Sequence, residues 1–164
     1  MNTWLLALLV NNHFGVLMRV TGLFSRRGYN IASLSVGETN DPDISRITIQ
    51  THTDGAAIHQ IIKQLEKLED VKSVALLPGA ETVARELLII KLVVPAARRG
   101  ALAEALSGFD CKMPYEDENK IILEFTGSTA RCGELIGELD SYTVLELCRT
   151  GVTAMSTVHQ IQSI

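Results

Sequence analysis

The sequence predicts an α+β chain of two tandem domains, each ordered strand, helix, strand, strand, helix, strand. Three observations predict it. Apolar spacing switches between the two-residue alternation of strands and the 3.6-residue period of helices. The same succession of elements runs twice. Pro78-Gly79 and the polar stretch 80–85 interrupt the chain between the runs, so the domains are expected at 1–78 and 79–164.

In the first run, residues 4–10 are continuously apolar and of strand length. Asn11 and Asn12 stop the run. From Gly15 to Arg27, Val16, Leu17, Val20, Leu23 and Phe24 share one helical face, and Gly28 follows as the exit. Residues 31–38 alternate as a half-buried strand. Asn40-Asp41-Pro42-Asp43 is turn chemistry, and 45–52 alternate again with Ile47 and Ile49 on one side, which makes a hairpin. Ile58, Ile61, Ile62, Leu65 and Leu68 mark an amphipathic helix with Thr53 or Asp54 as its cap. Residues 71–77 are the closing strand.

In the second run, 86–94 are rich in Leu, Ile and Val, and Leu102, Ala105, Leu106 and Phe109 give a short helical stripe. Residues 111–115 and 120–126 are strands joined by the acidic hairpin tip Glu116-Asp117-Glu118-Asn119. Ser128 caps a helix with Cys132, Leu135, Ile136 and Leu139 inward, and 144–148 close the run. Each half is a split β-α-β unit, so the fold class is α+β with tandem ferredoxin-like (βαββαβ) domains.

Composition narrows the function. A chain of 164 residues with 46% hydrophobic and 21% charged content can bury a core. A net charge of −4 and a pI near 5.5 argue against nucleic acid and give no basic patch for a membrane surface. The apolar runs are far shorter than the roughly 20 residues of a spanning helix. The first charge, Arg19, follows the first strand, so no signal pattern is read and a cytoplasmic protein is expected. Cys111, Cys132 and Cys148 form no CxxC pair and read as reduced, mostly buried thiols. The histidines are scattered, so no metal site is expected, and no nucleophile–base or phosphate-loop motif points to catalysis.

The chemistry gathers at the turn from the first strand into the first helix. Gly15 opens the helix, which leaves backbone N–H groups suited to a carboxylate. The Asn11 and Asn12 amides both donate and accept, and Asn30 follows the helix exit. Carboxylate, ammonium and small apolar side chain together describe a free amino acid better than a reacting substrate. The same residues also suit an ordinary loop and helix exit, so residue types alone leave both readings open.

The longer pattern is more specific. Gly15-Val16-Leu17, Arg19-Val20 and the run from Gly22 to Ile31 carry a resemblance that continues through Ser33-Leu34, Ser45-Arg46-Ile47-Thr48-Ile49, Lys63-Gln64-Leu65 and Lys67-Leu68 to Arg85-Glu86-Leu87. The chain resembles the small, regulatory subunits of acetolactate synthase (acetohydroxyacid synthase), whose first domain is an ACT domain. The resemblance implies a noncatalytic subunit that activates a separate large subunit and confers feedback by valine or another branched-chain amino acid. Thiamine diphosphate, magnesium and FAD are expected on that catalytic partner and no cofactor on this chain. By position, Asn12, His13, Gly15, Val16 and Leu17 match the family's effector loop. Asn30 and Ile31 match the side given by a neighbouring ACT domain, which implies a homodimer through these domains. His13-Phe14 is bulkier than the family's usual residues, Ala32 stands where an acid is common, and Thr157-Val158 replaces the usual Arg-Gly.

Three other readings are weighed. A free-standing ACT-type sensor of another enzyme or a transcription factor is disfavoured by the second-domain match from Arg85-Glu86. An acylphosphatase-type enzyme needs an arginine in the loop 11–15, which has none. An RNA-binding sheet needs exposed aromatics on central strands, and Trp4 is the one aromatic in the first domain's strands.

Overall fold

The computed structural model describes residues 2–158. They form two compact units, one built by the chain up to Val83 and again from Gly151, the other by Ala84–Thr150.

The first unit contains β1 (Asn2–Asn11), α1 (Val16–Arg26), β2 (Ile31–Glu38), β3 (Ile44–Thr53), α2 (Gly55–Leu65) and β4 (Val71–Leu77). Its antiparallel sheet has the order β2-β3-β1-β4. β1 lies inside, with Ala7 opposite Thr48 on β3 and Ala75 on β4. Alternate strand residues Leu6, Leu8, Val10, Ile47 and Ile49 meet the helical stripes Val16, Val20, Leu23, Phe24 and Ile58, Ile61, Leu65 in one core. Burying each such side chain stabilises by about 1.5–3 kcal/mol, which is what fixes strand register here. α1 ends as its sequence predicts. Gly28 takes φ 68°, and the N–H groups of Gly28 and Tyr29 return to the carbonyls of Ser25 and Phe24. Of the two expected caps for α2, Asp54 is used: its carboxylate accepts the Ala57 N–H at 2.7 Å.

The stretch 80–85, expected as a linker, is shorter than that. One 3-10 turn covers Gly79–Glu81, and β5 (Thr82–Val93) already begins at Thr82. Thr82 and Val83 are β-branched and continue the strand's alternating exposure backwards from Glu86. The second unit continues with α3 (Arg99–Ala105), β6 (Lys112–Glu116), β7 (Lys120–Gly127), α4 (Thr129–Glu138) and β8 (Thr143–Arg149). Its order, β6-β7-β5-β8, repeats the first sheet's. Leu88, Ile90, Leu92, Leu102, Ile121, Leu123, Phe125, Cys132 and Leu135 belong to its core. Ser128 caps α4 by accepting the Arg131 N–H. Leu106 and Phe109, read as helical, lie just past α3 in the turn that follows it, where Phe109 still packs edge-on against Phe125.

The end of the described chain departs from expectation. Residues 151–158, expected with the second domain, lie with the first unit. A short strand, β9 (Thr153–Ser156), pairs with β5 and lies near β1 and β4. The Val152 N–H donates to Ser33 Oγ at 2.8 Å, and the Ser35 and Thr153 hydroxyls meet at 3.1 Å. Arg46 donates to the Ala154 carbonyl at 2.8 Å, and the Thr157 N–H donates to the Glu81 carbonyl. Ser33, Ser35 and Arg46 all point to the sheet face away from the helices. Gly151 passes so close to β2 that a Cβ there would stand 2.2 Å from the Leu34 carbonyl oxygen.

Candidate functional site

The loop between β1 and α1 is held by polar contacts. The Asn12 N–H donates to the Asp43 carbonyl at 2.7 Å. Its side-chain Nδ2 donates to the Pro42 carbonyl at 2.8 Å and to Glu38 Oε1 at 3.2 Å, and its Oδ1 accepts the Ser45 hydroxyl at 2.9 Å. Asn12 therefore ties the loop to the β2–β3 hairpin and keeps one lone pair on Oδ1 for a ligand.

Gly15 precedes α1 with φ 84°, a left-handed conformation that lets the chain turn sharply into the helix. The first intrahelical bond runs from the Arg19 N–H to the Gly15 carbonyl at 3.0 Å. The N–H groups of Val16, Leu17 and Met18 precede it, no side chain caps them, and no acid stands in the first turn. That end is electropositive and suited to a carboxylate. Val16 offers only its backbone, because its side chain is buried in the core. Leu17 is half exposed and Phe14 fully exposed, and these are the apolar surface beside the helix end.

His13, Arg19 and Asn11 converge on Asp70, in the turn before β4. His13 Nε2 stands 2.9 Å from Asp70 Oδ1, and Arg19 Nη2 stands 2.5 Å from Oδ2. The Asn11 N–H donates to the Asp70 carbonyl at 2.9 Å. Burial pushes the Asp70 carboxyl up, but the Arg19 and Asn11 hydrogen bonds and the charges of Arg19 and His13 outweigh it and hold the group below the usual carboxylate range. Asn11, His13, Arg19, Leu68, Glu69 and Asp70 line a depression of about 420 Å³. A second depression, of about 550 Å³, lies between the end of α1 and α2, lined by Arg27, Gln60, Lys63, Gln64, Glu66 and Lys67.

Asn30 and Ile31 are not brought to this loop within one chain. Glu38, at the far end of β2, touches Asn12, whereas Ile31 starts the strand beside Thr51. Seven strand steps put the two groups about 23 Å apart. Asn30 is exposed, and its carbonyl accepts the Thr51 hydroxyl at 2.7 Å.

The expected site thus holds two separate sets, and it omits Arg19 and Asp70. Arg19 carried a readable signal, since a cation in the first turn of a helix opposes the macrodipole. Asp70, far along the chain, carried none. Among the described residues no cluster of His, Cys, Asp or Glu is arranged to hold a metal ion. The acidic hairpin tip is engaged internally: Asp117 accepts the Asn119 and Lys120 N–H groups and the Tyr115 hydroxyl. Cys132 is buried and Cys111 partly so, and burial pushes both thiols up. Cys148 is exposed.

Comparison with known proteins covers both halves. A family model described as the AHAS small subunit-like ACT domain matches residues 6–73, and one described as the small subunit of acetolactate synthase matches residues 85–158. A probable acetolactate synthase small subunit of Archaeoglobus fulgidus is 39% identical over 92% of this chain and 94% of its own length. The acetolactate synthase small subunit of Mycolicibacterium smegmatis is 38% identical over 94% of this chain and 91% of its own. The crystal structure of the acetolactate synthase small subunit from Thermotoga maritima superposes with a TM-score of 0.88 at 33% identity, covering 95% of this chain and 98% of that one.

Proposed function

The chain belongs to the acetolactate synthase small-subunit family, and from that premise we propose that it is a noncatalytic cytoplasmic subunit that activates a thiamine-diphosphate-dependent large subunit and makes it answer to a branched-chain amino acid. The magnesium and FAD of that assembly belong to the large subunit. The effector, valine or a close relative, lies between two chains of a homodimer. Asn12, His13, Gly15, Val16 and Leu17 of one chain hold the carboxylate and ammonium, and Asn30 and Ile31 of the other complete the site.

The observation that carries this reading is the separation of the two residue sets. One chain holds them at opposite ends of β2, so a single site containing both needs a second chain. Both are surface groups of the first unit, and its edge strand β2 has a free side for pairing. A free-standing sensor gains no support, because both halves of the chain match the small subunit.

The test is reconstitution. The purified chain is expected to form no acetolactate from pyruvate, to co-purify with the large subunit, and to raise its turnover. Turnover by the chain alone would reject the noncatalytic assignment. A monomer that binds valine at full affinity, seen by ultracentrifugation, would reject the shared site.

A further inference from the structure

We propose that Asp70 is the positioning residue of the effector loop, setting effector affinity through His13 and Arg19 without touching the effector. The inference rests on the reading of the site given above.

Asp70 belongs to the scaffold. It sits between α2 and β4, where the Val71 N–H closes a turn on the Leu68 carbonyl and the Asp70 carbonyl receives the Asn11 N–H. Its side chain is only 13% exposed, and each carboxylate oxygen takes a different partner. Oδ1 faces His13, just before Gly15. Oδ2 faces Arg19, one helical turn after it. One fixed carboxylate therefore grips the loop on both sides of the residue that aims the helix end.

Asn12 anchors the start of the loop and the buried Val16 its helix end, but Phe14 is fully exposed and Met18 is 74% exposed, so the His13 and Arg19 side chains are placed by polar contacts. Arg19 is moreover in the wrong place for a helix, since a cation in the first turn opposes the macrodipole. Asp70 offsets that cost and turns the guanidinium back beside Gly15, where Nη1 stands 3.5 Å from the position a Cβ would take. With Asp70 neutral, the Arg19 and His13 side chains are free to swing across the helix end, and the space beside the N–H groups of residues 16–18 is no longer kept clear for the effector.

The experiment is calorimetric titration of the full chain with valine, leucine and isoleucine, with melting followed in parallel. Variants are Asp70→Asn, Asp70→Glu, the pair His13→Ala with Arg19→Ala, that pair together with Asp70→Asn, and Arg19→Ala alone. Asp70→Asn is expected to weaken the tightest of the three ligands about tenfold, as loss of a charge-assisted hydrogen bond commonly does. Asp70→Glu recovers part of the loss. In the His13/Arg19 background Asp70→Asn adds little, a non-additivity that a merely structural role would not give. Arg19→Ala alone, at a half-exposed position given no contact with the effector, keeps the test open if Asp70→Asn does not fold, because it must weaken binding by itself. Parent-like affinity in Asp70→Asn or in Arg19→Ala overturns the inference while the site stands. Full additivity overturns it as well. If the unaltered chain binds none of the three amino acids, the site reading fails and takes the inference with it.

Discussion

On the outer face of the first sheet, away from its helices, Ala7, Leu9 and Thr48 are buried, whereas on the matching face of the second sheet Ile89 and Tyr115 remain 42% and 49% exposed. The order of the four main strands is the same in both, and β9 pairs with β5 besides. The difference lies in the chain's end: residues 151–156 run across the first sheet, fastened to Ser33, Ser35 and Arg46. Both central strands, β1 and β5, are nearly continuous apolar runs, the pattern of a strand covered on two faces. Such a run tells how many faces want cover. It does not tell which segment supplies it.

The contrast breaks most readily at Gly151. Gly151→Ala sets a methyl group against the Leu34 carbonyl, where backbone and not a flexible side chain must yield. The expected loss is about 3 kcal/mol, at the upper end of overpacking costs. Trp4 is the chain's single tryptophan and lies in β1, so its fluorescence reports the first unit. Its melting transition should fall by roughly 12–24 °C. The control is Gly100→Ala in α3, where nothing stands within 4 Å and the change should gain up to about 1 kcal/mol. An unmoved Trp4 transition in Gly151→Ala would show that the segment does not hold the first sheet.

Ligand sharpens the same contrast, because the proposed site is confined to the first unit. Valine a hundredfold above its dissociation constant should stabilise that unit by about 2.7 kcal/mol. Gly15→Asp should remove the shift, since the new carboxylate repels the ligand's own at the helix end. Asn30→Ala should remove most of it from the other side of the site. The quantity compared is the ligand-induced rise, because Gly15 at φ 84° makes any side chain costly there by itself. Undiminished rises in both variants would place the effector elsewhere.

What the sequence disclosed depended on distance along the chain. β2 and β4 were read to the residue, because local alternation and flanking turns define them. Gly28 and Ser128 ended and began helices through contacts within a few residues. β9 was not legible: four residues are too few for a periodic signal, and the reason for Gly151 lies on Leu34. The site divides the same way. Gly15 announces the helix entry locally. Asn12's use by Ser45 and Pro42, and the grip of Asp70 on His13 and Arg19, join residues that only the folded sheet brings together.

The helix caps compare the two units at a matched position, since Asp54 and Ser128 each begin the second helix of their own domain. Asp54 accepts at 2.7 Å and carries a charge that suits a helix N-terminus, while Ser128 accepts at 3.3 Å without one. Asp54→Ala should therefore cost about 1 kcal/mol and Ser128→Ala about 0.5 kcal/mol. Equal losses, measured by urea denaturation, would mean that bond length and charge do not separate these caps.

The smallest effects are expected in acid, where each unit has one braced carboxylate. Asp70 is held low chiefly by Arg19 against the upward push of burial, and Asp117 by the backbone N–H groups of Asn119 and Lys120. In both the folded-state pKa lies below the unfolded value of about 3.9. Each therefore stabilises the fold above that value, and the contribution is lost as pH falls through the lower, folded-state pKa. Replacing either by Asn should flatten the acid limb of stability against pH, Asp70→Asn in the Trp4 transition and Asp117→Asn in the remainder of the far-ultraviolet signal. Salt separates the causes. The brace on Asp70 includes two charged side chains near solvent, and these are screened within about 3 Å at 1 M salt. The brace on Asp117 is led by neutral N–H groups and responds less. High salt should thus erase more of the Asp70 effect than of the Asp117 effect, and equal erasure would contradict the assignment of charge to one and backbone to the other.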